Sequence, residues 1–162
     1  MNNMTELFSS PCSMKEFESN EDNIIRTCLT KCKTIALVGA SPKPSLDSNE
    51  VMEYLLQNKF KVFPINPKYQ GQQILGQEVY ANLADVPEPI DMVDVFRPSQ
   101  EALEITKNAI RAKVSYIWLQ LGIQNEEAKK IAEENGIVMI MNRCTLIEHK
   151  KIIDNRSRSS TG

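Results

Sequence analysis

The sequence lacks the features that mark secreted, membrane and nucleic-acid-binding proteins. It has no apolar run of bilayer-spanning length, and no signal-peptide pattern opens the chain. The formal net charge of −2 argues against broad electrostatic binding to nucleic acid, which favours a basic surface. Four cysteines in 162 residues do not resemble a disulfide framework. We therefore expect a soluble cytoplasmic protein with reduced thiols, and neither a nucleic acid nor a membrane as partner.

Glycine is scarce where nucleotide-binding motifs need it. The dinucleotide fingerprint G-x-G-x-x-G requires three glycines after the first strand, but Gly39 stands alone, with Ser41 and Pro44 at the other two positions. No Gly-Lys-Ser/Thr follows, so the Walker pattern is missing as well. These absences disfavour a conventional NAD or FAD site and a Walker ATP site, whereas a phosphate-bearing ligand remains compatible with the loop.

Residues that could form a catalytic or metal-binding set are also missing. The single histidine, His149, lies five residues after Cys144, which places the two on different faces of a helix. Asp91 and Asp94 are three apart in a strand and so point to opposite faces. The two cysteines of the first predicted helix share its apolar face, which is typical of packed thiols. We expect no metal site and no catalytic residues, and the sequence favours a protein that is not an enzyme.

Apolar runs recur at intervals of roughly 25 residues, and helical patterns separate them. The predicted strands are 35–38, 61–65, 91–96, 114–120 and 138–141. Five helices are predicted. Two of them are 21–33 and 99–112, one begins at the N-cap Ser48, and one is capped by Asn125 and ended by Gly136. A short closing helix lies within 142–151. Between the second and third strands we expect a short extended piece near Val79 and Tyr80 and one turn at 82–86.

This alternation predicts an α/β fold, a Rossmann-like open parallel five-stranded sheet with helices on both faces. We expect the strand order 3-2-1-4-5, with the ligand crevice at a switch point between strands 1 and 4. Residues 21–152 would form this single domain. Residues 1–20 would be a flexible arm, and residues 153–162 a disordered tail.

In such a sheet the residues that follow the strands border one crevice. The candidate residues at the strand ends are Gly39, Ala40, Ser41, Pro42, Lys43, Asn66, Pro67, Lys68, Phe96, Arg97, Gln120, Gly122, Arg143 and Cys144. Lys43, Lys68, Arg97 and Arg143 are cationic in a slightly acidic chain. Their coincidence at the strand ends predicts a polyanionic ligand.

The end of the second strand narrows the choice of nucleotide. NAD-binding sheets usually place Asp or Glu there to hold the ribose 2′-hydroxyl. Here Asn66, Pro67 and Lys68 follow the strand, without an acid nearby. Because a lysine attracts a phosphorylated ribose and a carboxylate repels it, the site suits coenzyme A or NADP.

Several segments in this order resemble a known family. They are IALVGASPKPSLDSNEV, FKVFPINPKYQGQQILGQEVYANLADVPEPIDMVDVFRPSQ, YIWLQLGIQNEEAKKIAEENGIVMIMNRC and the following IEH. The chain resembles, over about residues 20–152, the small stand-alone CoA-binding proteins, whose domain is related to the N-terminal domain of the succinyl-CoA synthetase α subunit.

The resemblance implies which residues meet each part of coenzyme A. The turn 39–43 and the helix that begins near Ser48 would hold the diphosphate. Residues 66–68 would face the 3′-phosphoadenosine, and Phe96 with Arg97 would flank the adenine or the phosphates. Gln120 and Gly122 would border the pantetheine arm.

Arg143 and Cys144 follow the last strand, at the expected thiol end of the ligand. Cys144 would meet the thiol of coenzyme A, or it would be a packed thiol without a role in binding. We expect Arg143 beside it to favour the thiolate by lowering the pKa of Cys144.

Three functions remain open. The first is binding of coenzyme A or an acyl-CoA without catalysis. The second is an NADP-type oxidoreductase, supported by the end of the second strand alone. The third is an interaction subunit that supplies a CoA domain to a partner enzyme. The synthetase reaction requires a phosphohistidine domain and a nucleotide-binding subunit, so we do not expect ligation by this chain alone. The sequence leaves open a protein partner or a homo-oligomer.

Overall fold

The structure is a computed structural model that describes residues 19–160, with side chains through residue 158. The predicted arm, 1–20, lies outside this range except for Ser19 and Asn20. The helices are α1 (Asn20–Lys31), α2 (Asp47–Gln57), α3 (Ala102–Arg111), α4 (Glu126–Glu134) and α5 (Thr145–Ser160). The strands are β1 (Thr34–Val38), β2 (Lys61–Ile65), β3 (Gln73–Ile74), β4 (Gln77–Glu78), β5 (Met92–Val95), β6 (Tyr116–Leu119) and β7 (Val138–Ile140). Short 3₁₀ turns form at Pro67–Tyr69, Leu83–Asp85 and Ser99–Glu101.

The predicted fold class is confirmed, because five parallel strands form one open sheet in a Rossmann-like domain. The sheet order is β2-β1-β5-β6-β7. Numbered by the five predicted strands, this order is 2-1-3-4-5, so the third strand lies beside the first and not beyond the second. The switch point therefore falls between β1 and β5, as in the second common doubly wound arrangement.

Three features explain the position of β5. The carboxylate of Asp91, just before β5, accepts hydrogen bonds from the N–H groups of Lys33 (2.8 Å) and Thr34 (3.0 Å) at the start of β1. The outer edge of β2 is occupied by Tyr80, which forms a bridge with Ile65. Pro64, within β2, also has no N–H to donate to a further strand. β5 therefore pairs with β1, and the chain returns across β1 to reach it.

Two apolar layers cover the sheet. One packs α1, α2 and α5 against the face that carries Leu37, Met92 and Trp118. The other packs α3, α4 and the turn Leu83–Asp85 against the face that carries Val93 and Val95. All four β5 residues are buried, as expected for a central parallel strand. The packed-thiol interpretation is confirmed for Cys28 in α1 and for Cys32 directly after it, since both are free and buried.

Helix ends differ from the prediction at two places. Leu46, not Ser48, is the N-cap residue of α2, and no side chain caps this helix. Helix α5 extends to Ser160, so it includes most of the segment 153–162 that we expected to be disordered. The Asn125 cap is confirmed, because its side-chain oxygen accepts the N–H of Ala128 at 3.0 Å. Among the described residues, none of the helices combines the length and apolar character needed to cross a bilayer.

Candidate functional site

The carboxyl ends of β1 and β5 meet closely at the switch point. Gly39 adopts a φ of +91°, and a Cβ there would lie 2.9 Å from the carbonyl oxygen of Phe96 and 3.0 Å from Cδ of Arg97. The turn after β1 therefore requires glycine for its conformation and for this approach. A valine at position 39 would therefore strain the fold itself.

A cavity of about 680 Å³ opens over these strand ends, within the size range of small-molecule sites. Most of the predicted residues line it, namely Gly39, Ala40, Ser41, Lys43, Ser48, Asn66, Lys68, Phe96, Arg97, Gln120 and Cys144. The structure thus brings together side chains from the ends of β1, β2, β5 and β6 and from the start of α5.

Four predicted residues do not line this cavity. Pro42 and Pro67 are exposed beside it. The N–H of Gly122 donates to Oδ1 of Asn142 at 2.7 Å, which joins the ends of β6 and β7. Arg143 pairs instead with acids of α1 and α5, at 3.3 Å from Glu21 and within 4 Å of two others.

The turn after β1 is held by two asparagine side chains. Asn49 in α2 donates to the carbonyl oxygen of Ser41, and Asn66 donates to that of Ala40, both at 2.8 Å. The N–H of Ala40 bonds the Ile65 carbonyl, and the N–H of Lys43 bonds the Ser41 hydroxyl. Since Pro42 has no N–H, the N–H of Ser41 is the backbone donor left without a partner among residues 40–43.

Charged side chains of both signs surround the cavity. Lys43, Lys68 and Arg97 supply positive charge, while Asp47 and Glu50 lie in the first turn of α2. These two acids oppose the positive end of the α2 dipole, so the helix terminus is a weaker phosphate site than expected. Side-chain cations, rather than the helix, are the main anion-attracting groups here.

Arg97 and Lys68 are positioned by their own neighbours. The Arg97 guanidinium donates to both carboxylate oxygens of Glu101, at 2.8–3.3 Å. The Lys68 ammonium lies 5.4 Å from the centroid of the Tyr69 ring, and its backbone N–H bonds Oδ1 of Asn66. Lys68 and Arg97 are both exposed, so an anionic ligand can compete for these cations at little cost.

The expectation that Arg143 lowers the pKa of Cys144 is wrong. Partial burial raises the pKa of the Cys144 thiol, although the N–H groups of Leu146 and Ile147 lower it somewhat. The guanidinium of Arg143 is engaged by carboxylates. His149 also lies apart from Cys144, because its Nδ1 bonds the Tyr54 hydroxyl at 2.8 Å and its ring packs against Phe60. Burial lowers the pKa of this imidazole.

A buried polar cluster lies beneath the cavity and was not predicted as part of the site. Asp94 and Thr145 are 0% exposed, and both contact the side chain of Gln120, which lines the cavity. The Asp94–Gln120 and Asp94–Thr145 hydrogen bonds are 2.6 and 3.0 Å long. Burial raises the pKa of Asp94 to about 7, whereas these two hydrogen bonds lower it.

Sequence reasoning also missed most of the apolar lining. The apolar lining residues that were missed are Leu46, Val51, Tyr69, Leu121, Ile123, Leu146 and Ile147, and the acids Asp47 and Glu50 were missed as well. Leu46, Leu121 and Ile147 are 45%, 59% and 44% exposed, and all three lie at this one cavity. Tyr69 could have been found from its place directly after Lys68, in the turn that ends β2.

Residues 33–150, most of the domain just described, match the family model of the CoA binding domain. The chain belongs to the CoA-binding domain family. The family resemblance predicted from the sequence segments is thereby confirmed.

Relatives of this family member include both small and large proteins. A hypothetical protein from Pyrococcus horikoshii superposes with a TM-score of 0.79 at 40% identity, covering 85% of this chain and 95% of that one. The uncharacterized protein YneT of Bacillus subtilis is 30% identical over 77% of this chain and 91% of its own length. Acetate–CoA ligase (ADP-forming) I of Archaeoglobus fulgidus is 26% identical over 69% of this chain, which spans 18% of that ligase.

Proposed function

We propose that this protein binds coenzyme A, or an acyl-CoA, in the cavity at the carboxyl ends of the strands, without catalysis of its own. The observation that carries the proposal is the convergence of Lys43, Lys68 and Arg97 on one cavity in a member of a CoA-binding family. Coenzyme A carries a diphosphate and a separate 3′-phosphate. Cations from the ends of three strands suit this spread of negative charge better than they suit a single phosphate.

Lys68 is the residue we assign to the 3′-phosphate. It follows β2, the position that contacts the ribose in related nucleotide-binding sheets. The Asn66 side chain is held in place, because its amide nitrogen donates to the Ala40 carbonyl oxygen and its oxygen accepts the N–H of Lys68. The Lys68 ammonium is exposed and stays near the Tyr69 ring. It can therefore turn toward a phosphate without breaking a salt bridge.

We assign the diphosphate to Lys43 and Arg97, with the N–H of Ser41 as an additional donor. Leu46, Leu121 and Ile147 supply apolar surface in the same cavity. This surface supports binding of the pantetheine arm and of an attached acyl group, because covering exposed apolar side chains is favourable. Cys144 lines the cavity as a protonated thiol, since its pKa is raised.

Isothermal titration calorimetry with CoA, NADP and NAD tests the proposal. We expect one CoA per chain, bound more tightly than either dinucleotide, because the cavity has cations for three phosphate groups. Tighter binding of NADP would support the oxidoreductase alternative. No heat of binding, together with no CoA adduct in native mass spectrometry, would contradict the proposal.

A second function is supported by the large relatives. In the Archaeoglobus ligase the matching region is less than a fifth of the protein, so most of that ligase lies outside this domain. We propose as an alternative that this chain supplies bound CoA to a separate partner protein. Affinity capture with the tagged chain, with and without added CoA, would support this role if one protein is retained only with CoA. Equal capture in both conditions would contradict it.

A further inference from the structure

Three buried side chains form a closed ring of hydrogen bonds beneath the cavity. Nε2 of Gln120 lies 2.6 Å from Oδ1 of Asp94 and 2.9 Å from Oγ1 of Thr145. The Thr145 hydroxyl donates to Oδ2 of Asp94 at 3.0 Å. Asp94 faces apolar neighbours in the sheet, where Leu37 and Trp118 are its partners in register. A carboxylate at this position is costly unless its oxygens are hydrogen-bonded.

The donors and acceptors of the ring allow one arrangement when Asp94 is ionised. Its carboxylate only accepts, so the Thr145 hydroxyl and the Gln120 amide must both donate to it. The second amide N–H of Gln120 then meets the remaining lone pairs of the Thr145 oxygen. Turning the amide over would place its oxygen against the carboxylate. The ring therefore fixes an orientation that an isolated glutamine would not keep.

The carbonyl oxygen of Gln120 is the one polar atom left over. Among residues 19–158, no buried side-chain nitrogen or oxygen lacks a partner, and no hydrogen bond to this oxygen forms within that range. The oxygen is therefore accessible, and the cavity is the surface that Gln120 lines. A carbonyl oxygen attracts an N–H or O–H donor and repels phosphate oxygens.

We infer that Asp94 and Thr145 are positioning residues that aim the Gln120 carbonyl oxygen into the cavity, where it selects a ligand with an amide N–H at this point. The inference rests on the proposed function, because the pantetheine arm of coenzyme A contains two such amides. The cations of the same cavity bind phosphates, whereas this acceptor excludes them. The ring thereby places the pantetheine arm of coenzyme A apart from its phosphates.

The charge state of Asp94 supports the assignment. Burial raises the pKa of this carboxyl to about 7, so it is ionised in mildly alkaline solution. The titratable groups that interact with its charge are the thiols of Cys28 in α1 and Cys144 before α5. The pKa of each thiol is raised, so both thiols stay neutral. The hydrogen bonds from Gln120 and Thr145 therefore stabilise the ionised carboxylate.

The orientation can be read directly by nuclear magnetic resonance at pH 8.5. The Gln120 side-chain amide signals are assigned from their loss in Gln120→Met. In the wild type we expect both amide protons to exchange slowly with solvent, because both are bonded to buried acceptors. In the isosteric Asp94→Asn variant the amide can turn over, and we expect its protons to exchange about tenfold faster or more. Rapid exchange in the wild type would overturn the inference.

Binding affinity provides the second readout. Asp94→Asn and Thr145→Val should weaken CoA binding about tenfold, because the cavity then presents a donor or a loosely held amide. Thr145→Ser keeps the hydroxyl and should bind CoA like the wild type, and circular dichroism checks that each variant is folded. Unchanged CoA affinity in both disruptive variants would overturn the inference. Protected amide protons in a wild type that binds no CoA would instead contradict the proposed function.

Discussion

At the scale of single residues, Asp94 is the clearest departure from what an apolar sheet requires. Its neighbours across the sheet, Leu37 and Trp118, are fully buried apolar side chains. Desolvation penalises the charged carboxylate, so the folded protein raises the pKa of Asp94 from 3.8 to about 7. The hydrogen bonds from Gln120 and Thr145 offset part of this penalty.

This shift makes stability depend on pH in a defined direction. Because the native state holds the Asp94 proton more tightly than the unfolded chain, its contribution is fully present below about pH 4. It is lost as the pH rises through about 7. Asp94→Asn has no proton to lose, so its free energy of unfolding relative to the wild type should improve by a few kcal/mol between pH 4 and 8.

Urea unfolding of both proteins at pH 4.5, 6 and 8 measures this difference. Asp85→Asn, which changes an exposed carboxyl in the turn Leu83–Asp85, is the control and should run parallel to the wild type. Parallel curves for Asp94→Asn as well would show that Asp94 is not desolvated in solution.

At the scale of elements, the carboxylate of Asp91 joins the start of β5 to the start of β1. It accepts two backbone N–H groups, from Lys33 and Thr34, at 2.8 and 3.0 Å. Asp91→Ala leaves both donors without this partner and should lower the free energy of unfolding by about 1–3 kcal/mol. Urea denaturation at neutral pH measures it.

Asp85→Ala serves as the control for Asp91→Ala, since Asp85 is exposed in a turn. It should change the free energy of unfolding by less than about 0.5 kcal/mol. An Asp91→Ala protein as stable as this control would mean that strand pairing alone positions β5.

The strands and helices of this fold differ in how well local sequence patterns predict them. The strand 61–65 was predicted with its observed bounds, because Asn66 and Pro67 mark the end of its apolar run. The strand order was wrong, because it depends on long-range contacts of Asp91 and Tyr80 that no local pattern contains. Helix α5 was predicted too short, because the polar residues after Ile153 lack a helical stripe. Its observed packing is against α1 and α2.

At the scale of the whole molecule, topology explains why much of the candidate site could be predicted. The carboxyl ends of parallel strands share one edge, so Gly39, Lys68 and Gln120 come together although they are far apart in sequence. Arg143 also follows a strand, but its charge is taken up by acids of α1 and α5. Side-chain pairing of this kind depends on the tertiary fold.

The apolar part of the cavity was missed for a related reason. In sequence, Leu121 and Ile147 look like ordinary core residues, and only the fold reveals that they are exposed at the cavity. The Asp94 ring was missed because Thr145 is 51 residues away from Asp94 along the chain. The overall charge does not predict this grouping of cations either, since a chain of net charge −2 places three cations at one edge of its sheet.

The central claim is that coenzyme A binds in this cavity with its 3′-phosphate at Lys68. Calorimetric affinities for CoA and dephospho-CoA, measured in the wild type, Lys68→Ala and Lys107→Ala, test the ligand and its placement together. Lys107 is an exposed lysine of α3 outside the cavity and provides the matched control.

We predict that the wild type and Lys107→Ala prefer CoA over dephospho-CoA by about tenfold or more, the usual effect of a charge-assisted hydrogen bond. In Lys68→Ala this preference should disappear, because the group that reads the 3′-phosphate is gone, while dephospho-CoA binds as before. Equal affinity of the wild type for both ligands, or equal losses for both in Lys68→Ala, would contradict the account.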